Sequence, residues 1–174
     1  WKATDDCGNM STCLQVITVD DSTPPSITCP INVTIECTAS TLPANTGMAS
    51  ATDNCDVVPN ITYTDMTVAS ATCPQEYTIN RTWKATDDCG NMSTCLQVIT
   101  VDDSTPPSIT CPINVTIECT ASTLPANTGM ASATDNCDVV PNITYTDMTV
   151  ASATCPQEYT INRTWKATDD CGNM

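Results

Sequence analysis

Short segments of alternating apolar and polar residues, separated by Pro, Gly, Asn and Asp, run the length of the chain. Ile31, Val33, Ile35 and Cys37 alternate with Asn32, Thr34 and Glu36. That period of two puts one set on a buried face and the other in water. The strongest such segment is Glu76–Thr86, where Tyr77, Ile79, Arg81, Trp83 and Ala85 share a face. A turn at Asp87–Asn91 leads into a last strand, Ser93–Val101. Asn60–Val68 reads as a strand with Ile61 and Tyr63 inward, Ser26–Cys29 as a short opening strand stopped by Pro30, and Gly47–Thr52 as a weaker strand of small residues. Thr38–Thr46, Asp53–Pro59 and Ala69–Gln75 read as loops, and no stretch of helical periodicity is long enough for an amphipathic helix. The pattern predicts an all-β fold. Roughly seven short strands in ~80 residues suggest a two-sheet sandwich of immunoglobulin type.

Arg81 occupies a core position in this pattern. The simpler reading packs its stem and sends its head to the rim. The sharper one pairs it with Asp65, which shares a face with Tyr63 on a plausible neighbouring strand.

The pattern repeats. Trp1–Thr82 and Trp83–Thr164 are identical letter for letter, and Trp165–Met174 begin a third copy. A period of 82 residues is long enough for one small domain per copy. The register places the C-terminal part of a preceding repeat domain at 1–22, a complete β-sandwich domain at 23–104, and a further domain at 105–174 that lacks its last strand. The chain is expected to be a window on a longer tandem array.

Each copy carries six cysteines and the chain has no histidine. An even count in a small unit reads as a disulfide framework formed in an oxidising compartment. Zinc is disfavoured without a CxxC pair or imidazole. With three Trp, four Tyr and no Phe in the whole chain, the core is modest and needs such staples. Each bridge that closes a long loop adds about 3–4 kcal/mol by the chain-entropy argument. Strand direction narrows the pairing, because successive strands run between two poles of a sandwich. Cys37 and Cys73 fall at the far pole and are expected to pair. Cys29, Cys55, Cys89 and Cys95 fall near the N-terminal pole, giving Cys55–Cys89 and Cys29–Cys95. The next copy would then hold Cys119–Cys155 and Cys137–Cys171, leaving Cys7, Cys13 and Cys111 without partners. The rival scheme is a local Cys89–Cys95 bridge with Cys29–Cys55.

Thr105-Pro106-Pro107-Ser108-Ile109-Thr110-Cys111-Pro112 resembles the opening of the hyalin repeat family. The likeness continues through Asn114-Val115-Thr116, Ala133-Thr134-Asp135-Asn136-Cys137 and Ala167-Thr168-Asp169-Asp170-Cys171-Gly172-Asn173. In the preceding copy it closes with Thr94-Cys95 and Ile99-Thr100-Val101-Asp102. The additional cysteines and Tyr77–Trp83 look most like the six-cysteine, hyalin-like repeats of secreted bacterial surface proteins. The resemblance covers each copy end to end. It implies an immunoglobulin-like fold and a role in extracellular adhesion or matrix, and it names no ligand.

The charge balance is 5 Lys+Arg against 20 Asp+Glu. That excludes a basic nucleic-acid surface and attracts cations. The linker Val101–Pro107 leaves one domain at its far pole and enters the next, where Asp135, Asn136, Asp138, Asp169, Asp170 and Asn173 gather. With Asp102 and Asp103 of the linker, they form a candidate calcium site of hard oxygen ligands. The linker also resembles cadherin junctions, where calcium stiffens an array. The competing reading is a solvated acidic face. Asn32, Asn60, Asn80, Asn91, Asn114, Asn142 and Asn162 head N-x-Ser/Thr triplets, candidate sites for covalent glycans. Asp103-Ser104-Thr105, and Ser22 one period earlier, look like a short O-glycosylation signal of some bacteria.

Catalysis is not expected. There is no imidazole base, and the cysteines read as bridged. Adjacent pairs such as Asp5-Asp6 are not held across a cleft. No run of apolar residues reaches membrane-spanning length. The sequence therefore reads as a non-enzymatic extracellular structural protein that builds a fibre or filament from identical domains by tandem self-association. The alternatives are the stalk of a cell-surface adhesin and a multivalent module that binds carbohydrate, matrix or a receptor.

Overall fold

Residues 1–174 are all described by the structure, a computed structural model. Residues 1–22 contribute only β1 (Lys2–Thr4) and β2 (Met10–Thr12), an antiparallel pair. Residues 23–104 hold β3 (Ser26–Thr28), β4 (Val33–Glu36), α1 (Pro43–Thr46), β5 (Ser50–Thr52), β6 (Asn60–Ala69), β7 (Tyr77–Thr86) and β8 (Met92–Asp102). The letters then recur as β9 (Ser108–Thr110), α2 (Pro125–Thr128), β10 (Ser132–Thr134), β11 (Asn142–Ala151) and β12 (Tyr159–Thr168). The protein is all-β apart from two single helical turns.

β4, β8, β7 and β6 form one sheet in that order. β4 runs parallel to β8, and the other neighbours are antiparallel. β3 and β5 form a second, two-stranded sheet, and β3 lies against β7 and β8. Cys29, just after β3, is bonded to Cys95 on β8 with Cα atoms 5.9 Å apart, tying the two sheets together. This is the one bridge that the sequence argument and the structure have in common.

The alternation on β7 is kept. Ile79, Arg81, Trp83 and Ala85 are buried, and from β8 Gln97, Ile99 and Val101 join them. Arg81 does not send its head to the rim. Its Nε and Nη2 donate to both carboxylate oxygens of Asp65, at 2.8 and 2.7 Å. Nη1 donates to Thr46 Oγ1 and Nη2 also to the Thr41 carbonyl, at 3.0 and 2.9 Å. The pairing wins because Asp65 sits directly opposite Arg81 in the β6–β7 register, and because α1 brings oxygen acceptors to the remaining guanidinium edge. Gln97, buried beside it, donates to the Ile31 and Thr46 carbonyls and accepts from Trp83 Nε1. The core is thus a satisfied polar network set in an apolar frame, as buried polar groups require.

Other expectations shift. Six strands, not about seven, occupy 23–104. Ile31 is exposed because β4 starts only at Val33, where pairing with Ile99 begins. Tyr63 is 41 % exposed. Its ring lies 4.5 Å from the Arg81 guanidinium carbon and tilts against Trp83, so it covers the core rather than filling it. The Thr38–Thr46 loop contains α1, with Pro43 in its first turn, where a missing N–H costs nothing. Gly47 ends it at φ 103°, and a Cβ there would lie 2.7 Å from Pro30 Cβ. Only glycine fits both conditions.

Candidate functional site at the repeat junction

The β pairing brings Glu36, Ala69, Tyr77 and Asp102 to one end of the 23–104 copy. Cys37 and Cys73 sit at that end. The linker leaves from there too, and its first turn is held tightly. The Cys37 N–H donates to the Asp102 carbonyl at 2.9 Å. Glu36 accepts from the Ser104 N–H at 3.2 Å and from the Thr105 hydroxyl. Those two contacts, Thr105 first, hold the Glu36 carboxyl below the ordinary glutamate range despite some desolvation.

Cys37 and Cys73 do not bond to each other. Cys37 is bonded to Cys137, with Cα atoms 6.0 Å apart, and Cys73 to Cys171, 4.8 Å apart. The expected Cys37–Cys73 and Cys137–Cys171 bridges are therefore replaced by two bridges that cross from one copy to the next. Cys55, Cys89, Cys119 and Cys155 carry free thiols, so Cys55–Cys89 and Cys119–Cys155 are not formed either. The physical reason is the linker. It is short and pinned, and it brings the far end of one copy onto the near end of the next. The thiols of facing ends then come within bonding distance. Cys55 and Cys89 are the same letters as Cys137 and Cys171, and Cys119 and Cys155 the same as Cys37 and Cys73, each one period of 82 residues away. Their equivalent partners have numbers outside 1–174, as do those of Cys13 and Cys111. Cys7, also free, repeats the letter of Cys89 and Cys171. Burial, and after it the charge of Asp21, pushes the Cys55 and Cys89 thiols up, which disfavours the reactive thiolate.

The acidic residues sort into two roles. Some are ties. Asp138 accepts from the Val140 and Asp170 N–H groups at 2.8 and 3.1 Å, joining the loop after β10 to the turn after β12. Asp169 accepts from the Cys171 and Asn173 N–H groups and from Asn173 Nδ2. Asn173 Nδ2 also reaches the Asp103 carbonyl at 2.7 Å, which docks the linker on the next copy. Asn91 makes the same contact to the Asp21 carbonyl at 3.0 Å one period earlier.

The second role belongs to Asp103, Asp135 and Asp169. A carboxylate oxygen of Asp103 lies within 4.8 Å of one from Asp135 and of one from Asp169. Asp21, Asp53 and Asp87, the equivalent residues one period earlier, form a single group with all three oxygens within 4.8 Å of one another, whereas Asp135 and Asp169 each approach Asp103 in a separate group. Asp103 is 3 % exposed. Its Oδ2 is buried with no hydrogen-bond partner, as is Oδ2 of Asp135. Burial, then the charges of Asp135, Asp169 and Glu36, push the Asp103 carboxyl above its ordinary value, although the Thr105 N–H opposes this. Asp135 goes the other way. Burial raises it, but the N–H groups of Asp138, Cys137 and Asn136 together bring it below the ordinary value. Asp102, Asp138, Asp170 and Asn173 are not in this group.

Among the candidate glycan acceptors, Asn60, Asn114, Asn142, Asn162 and Ser22 are exposed. Asn80 is half-buried. Asn32 Oδ1 accepts from the Val98 N–H, Asn91 is committed to Asp21 and Asp87, and the Ser104 hydroxyl faces Glu36. Nothing in the letter pattern marked Gln97 or Thr46, which complete the core network. Their side chains take part only once α1 has formed.

No family model, curated protein or solved structure matches the chain.

Proposed function

We propose that the chain is part of a non-enzymatic extracellular structural array. Each 82-residue repeat is read as an immunoglobulin-like sandwich of the hyalin-repeat kind, and the array itself as a fibre or filament wall. The observation that carries the reading is the pair of bridges between copies, Cys37–Cys137 and Cys73–Cys171. Each junction then has three covalent connections, one peptide linker and two disulfides. A pull along the array is shared among them, and rotation of one repeat against the next is blocked. Disulfides persist in oxidising surroundings, which supports a place outside the cytosol. Identical repeats give every junction the same contact, and a non-closing contact repeated makes a filament. No helix of the protein is long and apolar enough to cross a membrane. Exposed Asn60, Asn142 and Asn162 suit covalent glycans on the outer face.

Negative-stain imaging of unreduced material tests the reading. Uniform fibres with an axial repeat of one or two copies are the expected result. Thin single strings ending in a larger head would overturn it in favour of an adhesin stalk.

A further inference from the structure

We propose that each repeat junction binds one hard divalent cation of calcium size, held in this chain by Asp103, Asp135 and Asp169 and, one period earlier, by Asp21, Asp53 and Asp87. The inference stands apart from whether the array assembles into fibres.

The argument is one of missing counter-charge. Asp103 enters the junction from the linker, while Asp135 and Asp169 come from two loops of the next copy. Carboxylate oxygens of Asp135 and of Asp169 each lie within 4.8 Å of one from Asp103. Asp103 Oδ2 and Asp135 Oδ2 are buried and accept no hydrogen bond, and the equivalent Asp53 Oδ2 is in the same condition. A buried, unpaired carboxylate is costly. No lysine or arginine forms an ion pair with these carboxylates. The protein's two ion pairs are Arg81–Asp65 and Arg163–Asp147, both remote from the junction. Of the four buried side-chain atoms that lack a hydrogen-bond partner in the whole protein, three are carboxylate oxygens of these two clusters.

The donor chemistry selects the ion class. The grouped donors at the Asp103 junction are carboxylate oxygens and the sulfurs of Cys137 and Cys171, which are locked in disulfides; one period earlier the group is carboxylates alone, and the neighbouring Cys55 and Cys89 thiols are pushed up, away from the metal-binding thiolate. There is no histidine. Soft and borderline metals are thereby disfavoured. Magnesium demands a near-ideal octahedron and is usually held through one or two carboxylates, whereas calcium accepts several from irregular loops. The consequence is mechanical. One ion would join the linker to both loops that carry the bridging cysteines.

The test uses the oxidised 174-residue chain, stripped with chelator, its three bridges verified by unreduced mass. Calcium chloride is titrated in by calorimetry, with thermal melting in parallel. Two ions per chain are expected, with Kd in the range of about 10⁻⁴–10⁻³ M typical of extracellular calcium modules. Asp103→Asn should leave one ion, and Asp21→Asn should remove the other. Asp102→Asn, which changes the net charge equally but lies outside the cluster, should leave two. Melting should cross over. In chelator, Asp103→Asn melts at or above the parent, since it removes a buried charge. In calcium it melts below. Absence of both heat and melting shift would overturn the proposal, as would an equal loss in the Asp102 and Asp103 variants. An equal response to magnesium would overturn the assignment of ion size.

Discussion

Ile17 and Ile99 are the same letter of the same repeat, yet Ile17 is 74 % exposed and Ile99 is 0 % exposed. Leu96–Val101 belongs to β8, between β4 and β7, whereas Leu14–Val19 forms no strand. The contrast extends to partners. Val33–Glu36 is a strand because Ile99–Asp102 pairs with it, and the identical Val115–Glu118 is not. Local propensity is the same in every copy, so the difference is tertiary. In this fold β8 is the hydrogen-bonded neighbour of both β4 and β7. What survives without it is equally informative. Arg163 keeps all four contacts of Arg81, to both oxygens of Asp147, to Thr128 and to the Thr123 carbonyl. Only its burial weakens: the side chain is 13 % exposed against 2 % for Arg81. The arginine network is built by the β6–β7 type hairpin and the helical turn, and β8 seals it.

The largest effect should come from a charge placed on the buried face of β8. Ile99→Asp should cost at least about 4–5 kcal/mol, because it leaves a carboxylate unpaired in the core. Ile17→Asp should stay within about 0.5 kcal/mol. Amide exchange on β7 reads the first directly, and equal protection in both variants would refute the assignment of β8 as the seal. Next in size are the arginines. Arg81→Ala should destabilise its copy by about 3–5 kcal/mol, since Asp65 is left without its partner. Arg163→Ala should cost about 1–3 kcal/mol, as water can reach the acceptors. Denaturant unfolding followed through exchange on β7 and β12 separates the two copies.

The bridges were only half legible in the sequence. Strand counting groups Cys37 with Cys73 at one end, and Cys55 with Cys89 at the other. Facing ends of successive copies carry complementary pairs, so pairing within an end and pairing across the junction both consume every thiol in an endless array. The letters of one repeat do not choose between them. The pinned linker does, and its hold depends on Glu36 reaching forward to Ser104 and Thr105. The alternation of β7, by contrast, is written plainly in Ile79, Arg81, Trp83 and Ala85. Where that reading stopped short was the head of Arg81, because its acceptors Thr41 and Thr46 lie in a stretch with no strand pattern. The carboxylate cluster was visible as acidity alone. Which three residues converge is decided by loop turns closed on Asp135 and Asp169.

Two smaller effects sharpen the account. Gly47→Ala should cost more than about 1 kcal/mol, as the new methyl meets Pro30 in a left-handed backbone. Gly90→Ala, also at positive φ but with nothing within 4 Å, should cost less. Equal melting temperatures for the two variants would show that the Pro30 contact carries no weight. The smallest effect is a pH response at the linker. The Glu36 carboxyl is depressed in the folded protein, so its contribution is present above the ordinary glutamate value and is lost as pH falls through the lower folded value. Protection of the Ser104 amide should fade in that acid window, and Glu36→Gln should weaken it at neutral pH.

The most direct measurement is cleavage of the linker without reductant. A protease recognition sequence placed between Thr105 and Pro106 allows the peptide connection to be cut while the folded copies stay intact. If Cys37–Cys137 and Cys73–Cys171 join the copies, the cut protein keeps its full mass and separates into two pieces only after reduction. Separation without reductant would mean that each copy closes its own bridges, and would contradict the covalent junction on which the structural reading rests.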